Sequence, residues 1–212
     1  MKNVFLRRMI LLTGLVSFLA TALQAKEKEG ESHRAKSVLV LGLSDNVRSN
    51  YFPKGMITEK TGISENMIDN EYNAIITENI IASTPKNSGM FIPASAETSI
   101  SDWANLIIVE GEGDKCSSDV SPIPTDEYRK ALDKAGAEYL LVVNQHYLKW
   151  QETPMRTLFH IVSYTLYDKD QQEVYCGNGH FTSMYIESLE NLRKISRKAS
   201  SRIASNIVNQ IK

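Results

Sequence analysis

Several things are scarce in this sequence, and each scarcity excludes a class of protein. Two cysteines in 212 residues are too few for a disulfide-rich scaffold or a four-cysteine zinc site. Neither sign of charge prevails: 24 Lys and Arg stand against 25 Asp and Glu, a formal net charge of −1, where a general nucleic-acid binder is clearly basic. Beyond the N-terminus no apolar run approaches the length needed to cross a bilayer, which excludes a polytopic membrane protein. No phosphate-binding glycine loop, nucleophile elbow or paired metal-binding helix motif occurs. Asn-x-Ser/Thr sequons are also missing, which fits a bacterial envelope. What remains is an ordinary globular composition, 42% hydrophobic and 23% charged, in a length that suits one domain.

The first 25 residues read as an address. Lys2, Arg7 and Arg8 form a positive n-region, Met9 to Ala22 is an apolar stretch too short to span a membrane comfortably, and Ala20-Thr21-Ala22 is a small-x-small cleavage site. A second cleavage candidate ends at Ala25, just before the charged Lys26-Glu27-Lys28-Glu29. This pattern predicts a secretory signal peptide over residues 1–25 and a periplasmic or secreted product with no transmembrane segment after cleavage. No cysteine lies near the cleavage site, so no lipid-anchored cysteine is expected. Losing Lys2, Arg7 and Arg8 with no acidic residue takes the formal charge from −1 to −4.

Residues 26–36 are polar and without periodicity, a flexible leader. Residues 37–212 are then expected to form a single α/β domain. Ser37 to Leu43 is a continuous apolar run rich in β-formers, suited to a strand buried on both faces. Ser44 to Gly62 reads as a long polar loop. Met67, Ile68, Tyr72, Ile75, Ile76, Ile80 and Ile81 recur at helical spacing within Ser64–Ser83. A second strand is expected over Ser88–Pro93, one or two helices over Ala96–Val109 with Trp103, Leu106 and Ile107 inward, and a loop over Glu110–Pro124. Asp126 to Ala135 is a helix stopped by Gly136. Three strands follow, Tyr139–Trp150, Thr157–Tyr167 and Glu173–Thr182, separated by the turn signals Thr153-Pro154 and Asp168-Lys169-Asp170. Ile186 to Ile211 is one long amphipathic helix with Arg193, Lys194, Arg197, Lys198 and Arg202 on its flanks. The fold expected is mixed α/β: one sheet of about five strands ending in an antiparallel meander, with helices packed on it.

At this level a family resemblance emerges. The helix Asp126–Ala135 running into Gly136-Ala137-Glu138-Tyr139-Leu140-Leu141-Val142-Val143 resembles a segment shared by bacterial envelope α/β domains. The later Val162-Ser163-Tyr164-Thr165-Leu166-Tyr167-Asp168 and Glu173-Val174-Tyr175 continue it. The helix within Ser64–Ser83 followed by Gly89-Met90-Phe91 resembles another unit of the same group. Its members are the curli-secretion lipoproteins, the penicillin-binding-protein activators and the N-terminal domain of the Tol-system propeller protein. The likeness spans about two-thirds of the chain beyond residue 25, in motifs of structure rather than of a site. It implies a non-enzymatic module that binds another envelope protein. This sequence departs from the group in lacking the lipidated cysteine and in its loops over residues 44–62 and 110–124.

Candidate chemistry is sparse. Cys116 and Cys176 are the only thiols, and an oxidising compartment favours a disulfide between them; unpaired thiols are the plain alternative. Cys176 and His180 stand four residues apart, about 13 Å on a strand, too far for a nucleophile and its base without a bend at Gly177 and Gly179. With the first meander turn centred on Thr153, His146 faces His160; with the second centred on Asp170, His160 faces His180. Such a row could hold zinc with an open fourth position, although a one-residue slip breaks it, and the plain alternative is three independent polar residues. Glu110, Glu112, Asp114 and Asp119 lack the spacing of a calcium loop. The leading expectation is therefore a non-catalytic binding domain without a cofactor. The alternatives are a small hydrolase or metal-dependent enzyme on the meander face, with zinc as its metal, and a small-ligand or metal-binding protein.

Overall fold

The computed structural model describes residues 36–84, 90–94 and 99–211. The signal peptide and all of the leader but Lys36 lie outside the described residues, as do the start of the strand expected over Ser88–Pro93 and the start of the helix expected at Ala96. In chain order the elements are β1 (Val38–Gly42), β2 (Val47–Ser49), α1 (Lys54–Thr61), α2 (Ile68–Ala82), β3 (Phe91–Pro93), β4 (Ile108–Glu110), β5 (Ser117–Asp119), α3 (Thr125–Ala135), β6 (Tyr139–Gln151), β7 (Thr157–Tyr167), β8 (Glu173–Ser183) and α4 (Leu189–Gln210). Short 3-10 segments occupy Glu65–Met67, Ser99–Asn105 and Gly113–Lys115.

The expected mixed α/β architecture is what forms. The main sheet runs β3-β1-β6-β7-β8, with β2 also pairing β6; β4 and β5 make a separate two-stranded ribbon. β1 is parallel to both β3 and β6, and the meander β6-β7-β8 is antiparallel. Val38, Leu39, Val40 and Leu41 are all buried, which explains why this strand carries no polar alternation. Its even-numbered side chains meet Ile76, Ile80, Ile203 and Ile207 of α2 and α4; its odd-numbered ones meet Trp103, Tyr128 and Leu132. At β1 the sheet is thus covered on both faces.

Helix boundaries follow local chemistry. α3 ends at Gly136, which takes the left-handed conformation at φ 66° that favours glycine there. α4 starts where the Ser188 side chain accepts a hydrogen bond from the Asn191 N–H. Its long stripe packs on α2 and β8, with Leu192, Ala199, Ile203 and Ile207 buried.

The two expected loops contain more structure than their composition suggests. Residues 44–62 hold β2 and α1, and residues 110–124 hold the last residue of β4, a 3-10 turn and β5. Asp69 organises the first: one carboxylate oxygen accepts from the Val47 N–H at 2.8 Å and the other from Lys54 Nζ at 2.9 Å. Leu106, expected inward, is 45% exposed, whereas Trp103 and Ile107 are buried.

Candidate functional site

Register decides where the sequence-predicted residues fall. Across β6 and β7, His146 pairs with Val162 and Leu148 with His160, so His146 and His160 are diagonal neighbours on one face. Across β7 and β8, His180 pairs with Ile161 rather than His160. His180 therefore points to the opposite face, exposed and bonded to Asn178. The three-histidine row is not assembled, and among the described residues no group of three His, Cys, Asp or Glu side chains could hold a metal ion.

The two histidines that do meet form a buried relay. His146 Nε2 lies 3.0 Å from His160 Nδ1, and His160 Nε2 lies 3.0 Å from Ser183 Oγ. Ser183 gives its proton to the Tyr185 carbonyl. That donation leaves its oxygen to accept from His160 Nε2–H, so His160 Nδ1 accepts from His146 Nε2–H. His146 Nδ1 is then a bare acceptor, and among the described residues it has no hydrogen-bond partner. Tyr72 and Phe181 close around the pair. Burial pushes the His146 pKa down to about 3, and burial together with the neighbouring His146 holds His160 well below the ordinary imidazole range.

The disulfide expectation is corrected. Cys116 and Cys176 are both free, the first buried and the second exposed. Cys176 sits on β8 beside the Thr165 hydroxyl, while Cys116 begins the approach to β5, where its carbonyl accepts from Asn144 Nδ2.

Asn144 belongs to a polar seam that the sequence reading missed. β1 ends at Gly42 and β2 begins at Val47; between them β6 shifts register at Asn144, a bulge. A crevice of about 350 Å³ opens there, lined by Ser44, Asp45, Asn46, Arg48, Glu112 and Asn144 among others. It lies at the carboxyl end of β1, beside the middle of β6, at the switch point between two crossover connections. The Asn46 and Asn73 amides bond reciprocally beside it, at 2.9 and 3.2 Å. The available signal was Asn144-Gln145-His146, a polar interruption in a strand otherwise buried on both faces.

The most exposed apolar surface lies at the far end of the meander. Tyr51, Met155, Met184 and Tyr185 are 55%, 69%, 66% and 56% exposed. They come from three separated stretches: the end of β2, the β6–β7 turn and the end of β8. Trp150 stacks between Tyr51 and Tyr185, with ring centroids 6.0 and 6.1 Å away, and Phe52 meets its edge. The scaffold beneath is tightly bonded. The Trp150 N–H donates to Asn50 Oδ1 at 2.7 Å, and Asn50 Nδ2 donates back to the Trp150 carbonyl at 3.2 Å. Ser49 Oγ donates to the Leu148 carbonyl and accepts from the N–H groups of Tyr51 and Phe52. The aromatic row is thus held in place before anything binds.

Neither known protein families nor curated proteins give a match to the sequence. Solved structures give loose likenesses of fold. The PelC dodecamer of Paraburkholderia phytofirmans has 11% identity and a TM-score of 0.41, over 81% of this chain and 89% of that one. Lipoprotein GNA1162 of Neisseria meningitidis has 14% identity and a TM-score of 0.37, over 83% and 97%. The LpoB C-terminal domain of Salmonella enterica has 16% identity and a TM-score of 0.30, over 74% and 90%. Among the described residues no helix is long and apolar enough to cross a membrane.

Proposed function

We propose that this protein is an exported, non-catalytic binding module of the bacterial cell envelope, and that it docks another envelope protein through the Tyr51–Trp150–Tyr185 tip. The observation that carries this reading is the exposure of a pre-stacked aromatic row flanked by Met155 and Met184. Protein interfaces are enriched in Tyr, Trp, Met and Arg, and their energetic centres are aromatic anchors that lose little freedom on binding. Exposed Arg156 completes that composition at the same turn. Unbranched methionines let the rim adapt to the partner surface. The signal-peptide pattern supports an extracytoplasmic address, and the family resemblance supports a partner in the envelope.

Site-specific photo-crosslinking in the exporting cell tests it. A photoreactive phenylalanine analogue at Tyr51 or at Tyr185 is expected to give the same discrete adduct, while one at exposed Lys130 of α3 gives none. Absence of an adduct from both tip positions, or equal adducts from Lys130, overturns the reading.

A further inference from the structure

The two edges of the main sheet are built differently. The β3 edge is three residues long and contains Pro93, which has no N–H to offer a further strand. The β8 edge spans Glu173–Ser183, pairs among the described residues with β7 alone, and after a bulge at Val174 runs unbroken. From Val174 to Ile186 it carries no Lys, Arg, Asp, Glu or Pro. Natural edge strands are usually guarded by such residues. Among the described residues, no backbone hydrogen bond reaches the outer side of β8. An edge so long and uncharged is a template for strand addition.

The side chains on this edge say which strand fits. Read outward from Asn178, the strand is symmetric at its glycine and aromatic positions: Gly177 and Gly179 flank it, and Tyr175 and Phe181 follow, with the unlike Cys176 and His180 between them. We infer that β8 pairs antiparallel with β8 of a second copy of this chain, about a two-fold axis through Asn178. Residue i then meets residue j of the second copy and residue j meets residue i, as an isologous interface requires. The pairs formed are Asn178 with Asn178, Gly177 with Gly179, Cys176 with His180, and Tyr175 with Phe181, each with its mate on the second copy. The last is an aromatic cross-strand pair of the kind that stabilises sheets, and it occurs twice.

Packing within one copy agrees with this register. Tyr175 and Phe181 lie on the α4 face, both partly buried against the core beneath α2 and α4, so each keeps surface to cover. Gly179 lies under Ile203, and Gly177 lies against the Tyr164 hydroxyl. The axis at Asn178 keeps the α4 helices of both copies on one face and joins two aromatic patches across the seam. A slip of one residue would turn the second copy over and set Tyr175 against Thr182. No like charges oppose each other anywhere along the pairing.

The exported full chain is the material for the test, with mass measured by light scattering over a concentration series. A dimer is expected. Asn178→Lys places two ammonium groups on the axis and should give a monomer with unchanged circular dichroism. Thiol placement checks the register independently of affinity. Directly opposed residues lie about 4.5–5.5 Å apart between Cα atoms, within disulfide reach. Under mild oxidation His180→Cys should form an intersubunit bond with Cys176 of the second copy, and Asn178→Cys with Cys176→Ser should bond to itself. Thr182→Cys with Cys176→Ser should not. A chain that stays monomeric at every concentration, a dimer indifferent to Asn178→Lys, or cross-linking by Thr182→Cys alone overturns the inference. So does a monomer that takes an extended peptide of another protein onto β8. The tip residues Tyr51 and Trp150 are untouched by these variants, so this result and the partner cross-linking fail or succeed separately.

Discussion

His146 and His160 share one hydrogen bond, Nε2 to Nδ1 at 3.0 Å, with both rings 1% exposed. Protonating either is unfavourable, because His146 would gain a buried proton outside the chain that runs through Ser183 to the Tyr185 carbonyl and His160 would break that chain. A proton on His146 Nδ1 would have no acceptor, and a proton on His160 Nδ1 would remove the acceptor that His146 uses.

Acid lability follows. In the unfolded chain each of these histidines gains a proton near pH 6.5, whereas folded His146 resists until about pH 3. The unfolded state therefore binds more protons below pH 6.5. Stability from this source is complete above that pH and is lost as the pH falls, by about 1.4 kcal/mol per pH unit for each histidine. Urea unfolding between pH 7.5 and 5 should show this slope, and His146→Gln should reduce it by about one histidine's share. A flat profile over that range would contradict the buried neutral pair.

Thiol labelling checks the cysteine assignment. Burial pushes the Cys116 thiol up, away from the reactive thiolate, while Cys176 is exposed. One alkylation per native chain is expected, at Cys176, and two after denaturation without reductant. A denatured chain that takes no label carries the Cys116–Cys176 bond and contradicts the free thiols.

Much of this architecture is legible in the sequence, and the failures are local. β7 is expected over Thr157–Tyr167 and found there, because a long apolar-rich strand between two turn signals has few competing readings. At the first turn the observed pairing Gln151 with Thr157 centres on Pro154, one residue beyond the expected Thr153. That moves the opposing strand by two residues, which preserves the face, so His146 and His160 still meet, though diagonally. At the second turn Tyr167 pairs with Glu173, in keeping with a centre at Asp170, but the bulge at Val174 then adds one residue. An odd shift reverses the face, and His180 turns away. The bulge has no signature in composition. β2, β4 and β5 escaped notice for another reason: three residues are too few to show a period of two. The aromatic tip was illegible because Tyr51, Trp150 and Tyr185 come together only when the ends of β2, β6 and β8 converge.

Gly42 shows how closely the switch-point seam is packed. A Cβ on this residue would lie 2.4–2.7 Å from the side-chain atoms of Asn73. Asn73 cannot simply swing aside, since its amide nitrogen donates to the Leu43 carbonyl at 2.9 Å and its oxygen accepts from Asn46 at 2.9 Å. Asn46 in turn donates to the Val143 carbonyl beside the bulge. Gly42→Ala should therefore cost about 2–3 kcal/mol, from overpacking together with at least one lost buried hydrogen bond. Asn73→Ala alone should also destabilise, through the unpaired Leu43 and Asn46 groups it leaves. Asn73→Ala keeps the Cβ that lies 2.6 Å from the one added at position 42 but removes Cγ and Nδ2 at 2.4 and 2.7 Å, so the double variant relieves part of the clash and its loss should fall short of the two single losses combined. Urea denaturation of the four proteins closes this cycle. Strict additivity would show that Asn73 is not what holds position 42 to glycine.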